Sequence, residues 1–110
     1  MKLPNRENAY VPPPKLVNYL LSLSHPVGGS KARFFRSAGF DETNAASLEQ
    51  GLIDIAHSED VTETEQTPHG TKYVVEGSLH TPTKGIRRIK TVWIIDAGQE
   101  HPRFVTAYPL

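Results

Sequence analysis

The hydrophobic repeat changes period once along this chain, at Asp60, and that change limits the fold more than any other feature. Before it, apolar residues recur at helical spacing: Leu16, Leu20 and Leu23, then Ala45, Leu48, Leu52 and Ile55. After it they alternate, as in Tyr73 and Val75 against Val74, and runs of alternation are separated by short turns such as Pro68-His69-Gly70. Helices first and strands second predict an α+β fold with three N-terminal helices packed on a four-stranded antiparallel meander sheet. The sheet face away from the helices is then available for a ligand. With 110 residues there is room for one domain and a modest core, so any site shares the sheet that holds the fold together.

The element ends carry their own signals. Pro12-Pro13-Pro14 opens the first helix, expected over 13–23, because a proline ring fits the first helical turn. His25-Pro26-Val27-Gly28-Gly29 breaks it. Ser30 is a fitting cap for a second helix, Lys-Ala-Arg-Phe-Phe-Arg-Ser-Ala, which Gly39 closes in the left-handed conformation while Phe40 folds back on Phe35. Asp41 or Thr43 can cap a third helix to about His57, and Gly51 in its middle points to close packing. Strands are expected over 61–67, 71–79, 86–96 and 103–108.

Composition excludes several chemistries. The chain has no cysteine, so thiol catalysis, disulfides and cysteine-ligated zinc are ruled out. Its five histidines lack ligand spacing, so neither a metal nor another cofactor is expected. No apolar run suits a signal peptide or a bilayer span, which makes a cytoplasmic location the expectation and a membrane partner an unexpected one. The formal net charge is zero, yet it is unevenly spread. Residues 1–40 carry Lys2, Arg6, Lys15, Lys31, Arg33 and Arg36 against Glu7 alone; residues 41–66 carry eight acids and no Lys or Arg. A basic surface can therefore lie opposite an acidic one, the first suited to phosphates and the second to a basic partner. The plain alternative is the solvated faces of ordinary helices.

The last two strands hold polar groups where a core hairpin would be apolar. If Asp96 and Arg103 form a cross-strand pair, Thr91, Trp93, Thr106 and Tyr108 share one face, opposite Val92, Ile94, Val105 and Ala107; one bulge would change that partition. Threonine also suits a strand by shape alone, and a buried tryptophan is ordinary core. Lys31, Arg33 and Arg36 follow a Gly-Gly turn at a helix start, where an anion meets free amides. Arg88 and Lys90 form a second basic group on the third strand, and the two groups can converge on one cleft. His25 stands beside the basic helix as a candidate general acid or base.

The segments carrying SHP-x-G-x-SKARFF, at 24–35, and TVW-x-ID followed by VTAYPL, at 91–110, resemble a family of small bacterial domains found as short free-standing proteins and in proteins of polymorphic toxin type. The order of helices, meander and terminal VTAY strand is also similar in layout to the barnase, EndoU, colicin and RelE group of metal-independent ribonucleases. The resemblance implies a toxin-like endoribonuclease in which a ribose 2′-hydroxyl attacks the adjacent phosphate. Lys31 would stabilise the phosphate with Arg33 and Arg36, and Arg88 or Lys90 would support it. Thr91, Thr106 and Tyr108 would position phosphate or sugar, His25 would move the proton, and Trp93 would stack a base. RNA and a small acidic neutralising protein are the partners this implies. A barnase-like Glu and His pair is missing from the sequence, so a non-catalytic interaction module or an inactive toxin-like remnant stands as the alternative. In that case the strand at 61–67 or the acidic third helix would bind a protein.

Overall fold

The computed structural model of the chain describes residues 1–25 and 29–110. Its sheet is an antiparallel meander in the order β1 (Val61–Thr67), β2 (Gly70–Thr81), β3 (Gly85–Asp96) and β4 (Arg103–Pro109). Helical structure precedes it and gathers on one face, so the α+β expectation holds. Alternation decides which side chains face the helices: Val75, Leu79, Ile89, Trp93, Phe104 and Ala107 are buried there against Leu20, Phe35, Phe40, Leu48, Leu52 and Ile55. Trp93 meets Phe104 edge-on at 5.4 Å between ring centroids, an arrangement that adds to its area burial.

The first helix departs from a regular α-helix. Pro13–Lys15 forms a 3-10 turn and Leu16–Leu20 a π-turn, with Leu21 N–H donating to Leu16 O at 2.9 Å. Each residue that precedes a proline is pushed away from helical backbone angles, as at Pro12 with ψ of 135°, which disfavours a regular helix across the three prolines. The wider turn shifts the apolar phase: Leu16, Leu20 and Leu21 are buried, while Leu23, expected in the core, is 57% exposed. Pro26, Val27 and Gly28, the centre of the expected breaker, lie outside the described residues.

α1 (Gly29–Ser37) begins one residue before Ser30, which therefore sits inside its first turn rather than at the cap. It ends as expected, at Gly39 with φ of 103°, where Gly39 N–H bonds Arg36 O and Phe40 N–H bonds Phe35 O. α2 (Ala45–Ser58) starts after Asn44, not at Asp41 or Thr43. Asp41 instead accepts from the Thr43 N–H and hydroxyl and so shapes the turn before the helix. The Thr43 bonds, its side chain first, hold the Asp41 carboxyl below its ordinary range.

α2 lies close on β2 because two glycines face each other's neighbours. A methyl at Gly51 would come within 2.5 Å of Leu79 Cδ1, and one at Gly77 within 2.8 Å of both Ile55 γ-carbons. The N-terminal segment closes the other side. Tyr10 makes a parallel bridge to Arg103, taking the Phe104 N–H at 3.0 Å and giving its own N–H to Pro102 O at 3.1 Å. It covers the start of β4, while α1 and the first helical segment pack along its later residues. Among the described residues, no helix is long and apolar enough to cross a membrane.

Candidate functional site

A bulge in β4 decides what the terminal hairpin presents. Phe104 stands opposite Trp93 and Thr106 opposite Val92, so Val105 is one residue extra in its strand. An odd insertion flips every later side chain to the other face. Thr91 and Trp93 therefore face the helices, and Thr106 and Tyr108 face away with Val92 and Lys90. The four do not share one face, which corrects the sequence partition. The Asp96–Arg103 pair does form, with Arg103 Nε and Nη2 each 3.0 Å from a carboxylate oxygen, and it holds the Asp96 carboxyl below its ordinary value.

Thr91 and Trp93 have structural work instead. Both are completely buried. The Thr91 hydroxyl donates to Val75 O at 2.6 Å and accepts the Trp93 indole N–H at 2.9 Å. A buried indole needs such a partner, and threonine supplies it from the same strand face. Neither side chain reaches a surface where phosphate or base could meet it.

The other candidates gather at the β4 edge around Tyr19, which the π-turn carries. Its hydroxyl lies 2.9 Å from Thr106 Oγ1. Lys15 Nζ is 4.7 Å and Lys31 Nζ 6.0 Å from its ring centroid, and the His25 ring packs edge-on at 5.0 Å. Next to it, Tyr108 shares a shallow recess with Ser30, Lys31 and Pro109, and Lys90 Nζ stands 5.8 Å from the Tyr108 ring. All seven side chains, Lys15, Tyr19, His25, Lys31, Lys90, Thr106 and Tyr108, are half-buried and reachable from solvent. Among the described residues no carboxylate pairs with Lys15, Lys31 or Lys90. The cations are held by aromatic faces, which leaves their charge available to an anion.

Of the expected substrate-binding residues, Lys90 joins this cluster and the others do not. Arg36 gives its Nε–H to Leu21 O at 2.6 Å and forms an ion pair with Glu42, tying the first helical segment to the loop after α1. Arg33 is exposed on α1 away from the recess. Arg88 lines an adjoining groove between α1 and the start of β3, which shares Pro109 with the recess. Tyr19 and Lys15 were missed by sequence reasoning, although their i, i+4 spacing was a usable signal for a stacked pair.

A helical layer on one face of a four-stranded meander, with tyrosines and lysines gathered at the β4 edge, defines a small α+β domain. The chain belongs to the family described as Domain of unknown function (DUF6883), whose model matches residues 2–110. Among solved structures it is similar to a chain titled as the contact-dependent growth inhibition toxin - immunity protein complex from Klebsiella pneumoniae 342, at 17% identity, a TM-score of 0.73 and 96% coverage of both chains. At that identity the likeness establishes a shared fold. None of the curated proteins matches the chain.

Proposed function

We propose that this chain is a toxin-like, metal-independent endoribonuclease domain whose active site is the β4 edge. The observation that carries the reading is the Tyr19 hub, which joins Thr106, His25, Lys15 and Lys31 at one solvent-reachable place. Cleavage of RNA by its own 2′-hydroxyl needs a base to take that proton, an acid to protonate the departing 5′-oxygen, and cations where the phosphate gains charge. Lys31 and Lys15 would stabilise the five-coordinate phosphate, and His25 would make one of the two proton transfers, with solvent water making the other. Thr106, fixed by Tyr19, and Tyr108 would orient phosphate and sugar, and Lys90 would attract the neighbouring backbone. The similarity to a chain from a toxin and immunity complex supports the reading, and a small acidic protein able to cover the same cations would neutralise it.

A second reading is favoured by the sheet's open face, where Val74, Val92 and Val105 line a shallow groove of about 270 Å³ together with Glu63, Glu65, Lys72 and the site's own Thr106 and Tyr108. There the chain would be a non-catalytic interaction module that binds another protein, or an inactive remnant. Purified protein incubated with total cellular RNA and tRNA in EDTA separates the two. The ribonuclease reading expects cleavage, slowed on the order of 100-fold or more in Lys31→Ala and in Thr106→Ala with unchanged circular dichroism. No cleavage by folded wild-type protein at high concentration would transfer the weight to the interaction module.

A further inference from the structure

We propose that the β4-edge site continues into a groove that holds single-stranded RNA beside the cleaved phosphate. The proposal rests on the ribonuclease reading and names a part of the substrate path that it leaves open. The groove, about 450 Å³, runs between α1 and the ends of β3 and β4. Phe34 and Ala38 form one wall, Lys84, Arg87 and Arg88 the other, and Pro109 belongs both to it and to the recess of Lys31 and Tyr108. Lys31, Phe34 and Ala38 are spaced i, i+3 and i+7, a single face of the helix, so recess and groove share one continuous wall.

Its chemistry suits a polyanion with exposed bases. No carboxylate side chain lines the groove, and among the described residues Lys84, Arg87 and Arg88 make no ion pair. Arg88 Nη1 donates only to Ser78 Oγ at 3.2 Å. In a chain with as many acids as bases, three unpaired cations around a groove without an acidic side chain, with Leu110 at its border, are a selective feature. Its lining also offers apolar surface, with Ile86 60% exposed and the Phe34 ring half-buried. Cations that follow a backbone beside an aromatic face are what single-stranded nucleic acid uses; in a duplex the bases stack on each other and leave such a face idle. The wall is also held in place. Thr83 N–H bonds Ala38 O at 3.0 Å, and Gly39 lets Pro82 and Thr83 sit against the end of α1, which fixes Lys84 over the groove.

The test uses a single strand of about 12 nucleotides with 2′-O-methyl riboses, which cannot be cleaved by its own hydroxyl. Wild-type protein, Arg87→Ala/Arg88→Ala, Lys84→Ala and Phe34→Leu are compared by fluorescence anisotropy over a salt series, with circular dichroism as the folding control. The expected result for the double variant is binding weakened roughly 10-fold or more and a salt slope shallower by about 0.7 for each phosphate it no longer neutralises. Phe34→Leu, which keeps an apolar side chain against the core, should weaken the single strand and leave the slope unchanged. Unchanged affinity and slope in the double variant overturn the groove, as does equal binding of the matching duplex. Groove-dependent capture of poly-glutamate in preference to RNA would also overturn it and assign the surface to an acidic protein. Cleavage of unmodified RNA, run alongside, keeps the two ideas apart. Groove-dependent binding without cleavage sinks the ribonuclease reading alone, and cleavage insensitive to the groove variants sinks the groove alone.

Discussion

Thr91 carries a hydroxyl to a place with no access to water, and its two hydrogen bonds explain why. The indole N–H of Trp93 would otherwise be a buried donor without a partner, which costs roughly 1–3 kcal/mol. Thr91→Val keeps the shape and removes the hydroxyl, so we expect a loss of about that size in urea unfolding; a loss below about 0.5 kcal/mol would contradict it. Threonine and valine fit a strand equally well, which is why the sequence could place Thr91 in a site. Asp96 gives a pH-dependent counterpart. Its hydrogen bonds to Arg103 lower its pKa from 3.8, so the pair stabilises the fold above the unfolded value and loses that contribution as pH falls through the folded one. The two side chains are about a third exposed, at 32% and 33%, so solvent screening limits the contribution to about 0.5–1 kcal/mol. Unfolding of wild-type protein and Asp96→Asn from pH 7 to pH 2 should show a gap that is full at neutral pH and closes as acid protonates the Asp96 carboxyl below its ordinary range. Asp41 and Glu42, also lowered, are present in both proteins and cancel.

At the scale of elements, periodicity was legible and local irregularity was not. The strand at 61–67 and the acidic helix with its stripe of Leu48, Leu52 and Ile55 follow directly from spacing. A π-turn and a one-residue bulge leave no such trace, because each inserts a residue without changing composition. Those two insertions set the site: one places Tyr19, the other turns Thr106 and Tyr108 away from the helices. The glycines between α2 and β2 were half legible. Gly51 breaks a helical pattern, which suggests a close neighbour, but only the structure pairs Gly77 with Ile55. Gly77→Ala should destabilise by about 1–3 kcal/mol, since both Ile55 γ-carbons lie within 2.8 Å of the new methyl. Ile55→Ala alone opens a cavity and costs about 2–5 kcal/mol. In the double variant the methyl enters that cavity, so the two losses should add to clearly less than their total, by more than about 0.5 kcal/mol. Strict additivity would mean that helix and strand separate rather than clash.

Across the whole molecule the charge blocks of the sequence become two poles. The acid-rich residues 41–66 form α2 and β1, and α2 packs on β2; the lysines of the site gather at β4, on the opposite edge of the sheet. A zero net charge thus conceals cations where α1 meets β4, while the groove on the sheet's open face brings Glu63 and Glu65 of β1 beside Thr106 and Tyr108 of β4. Composition made the segregation visible, whereas the location of each pole needed the strand order. The cations attract a polyanion to the side where α1 meets β4, and the two glutamates disfavour its passage over the open sheet face. Induced expression in a bacterial host tests what this polarity is for. If the β4 edge cleaves RNA, wild-type protein should arrest growth within the first generations, and Lys31→Ala, accumulating to the same level, should not. Arrest that survives Lys31→Ala would move the toxic function to another surface. Normal growth with abundant folded wild-type protein, joined to intact RNA in the extract, would leave the positive pole as a docking surface for a protein and remove the enzyme.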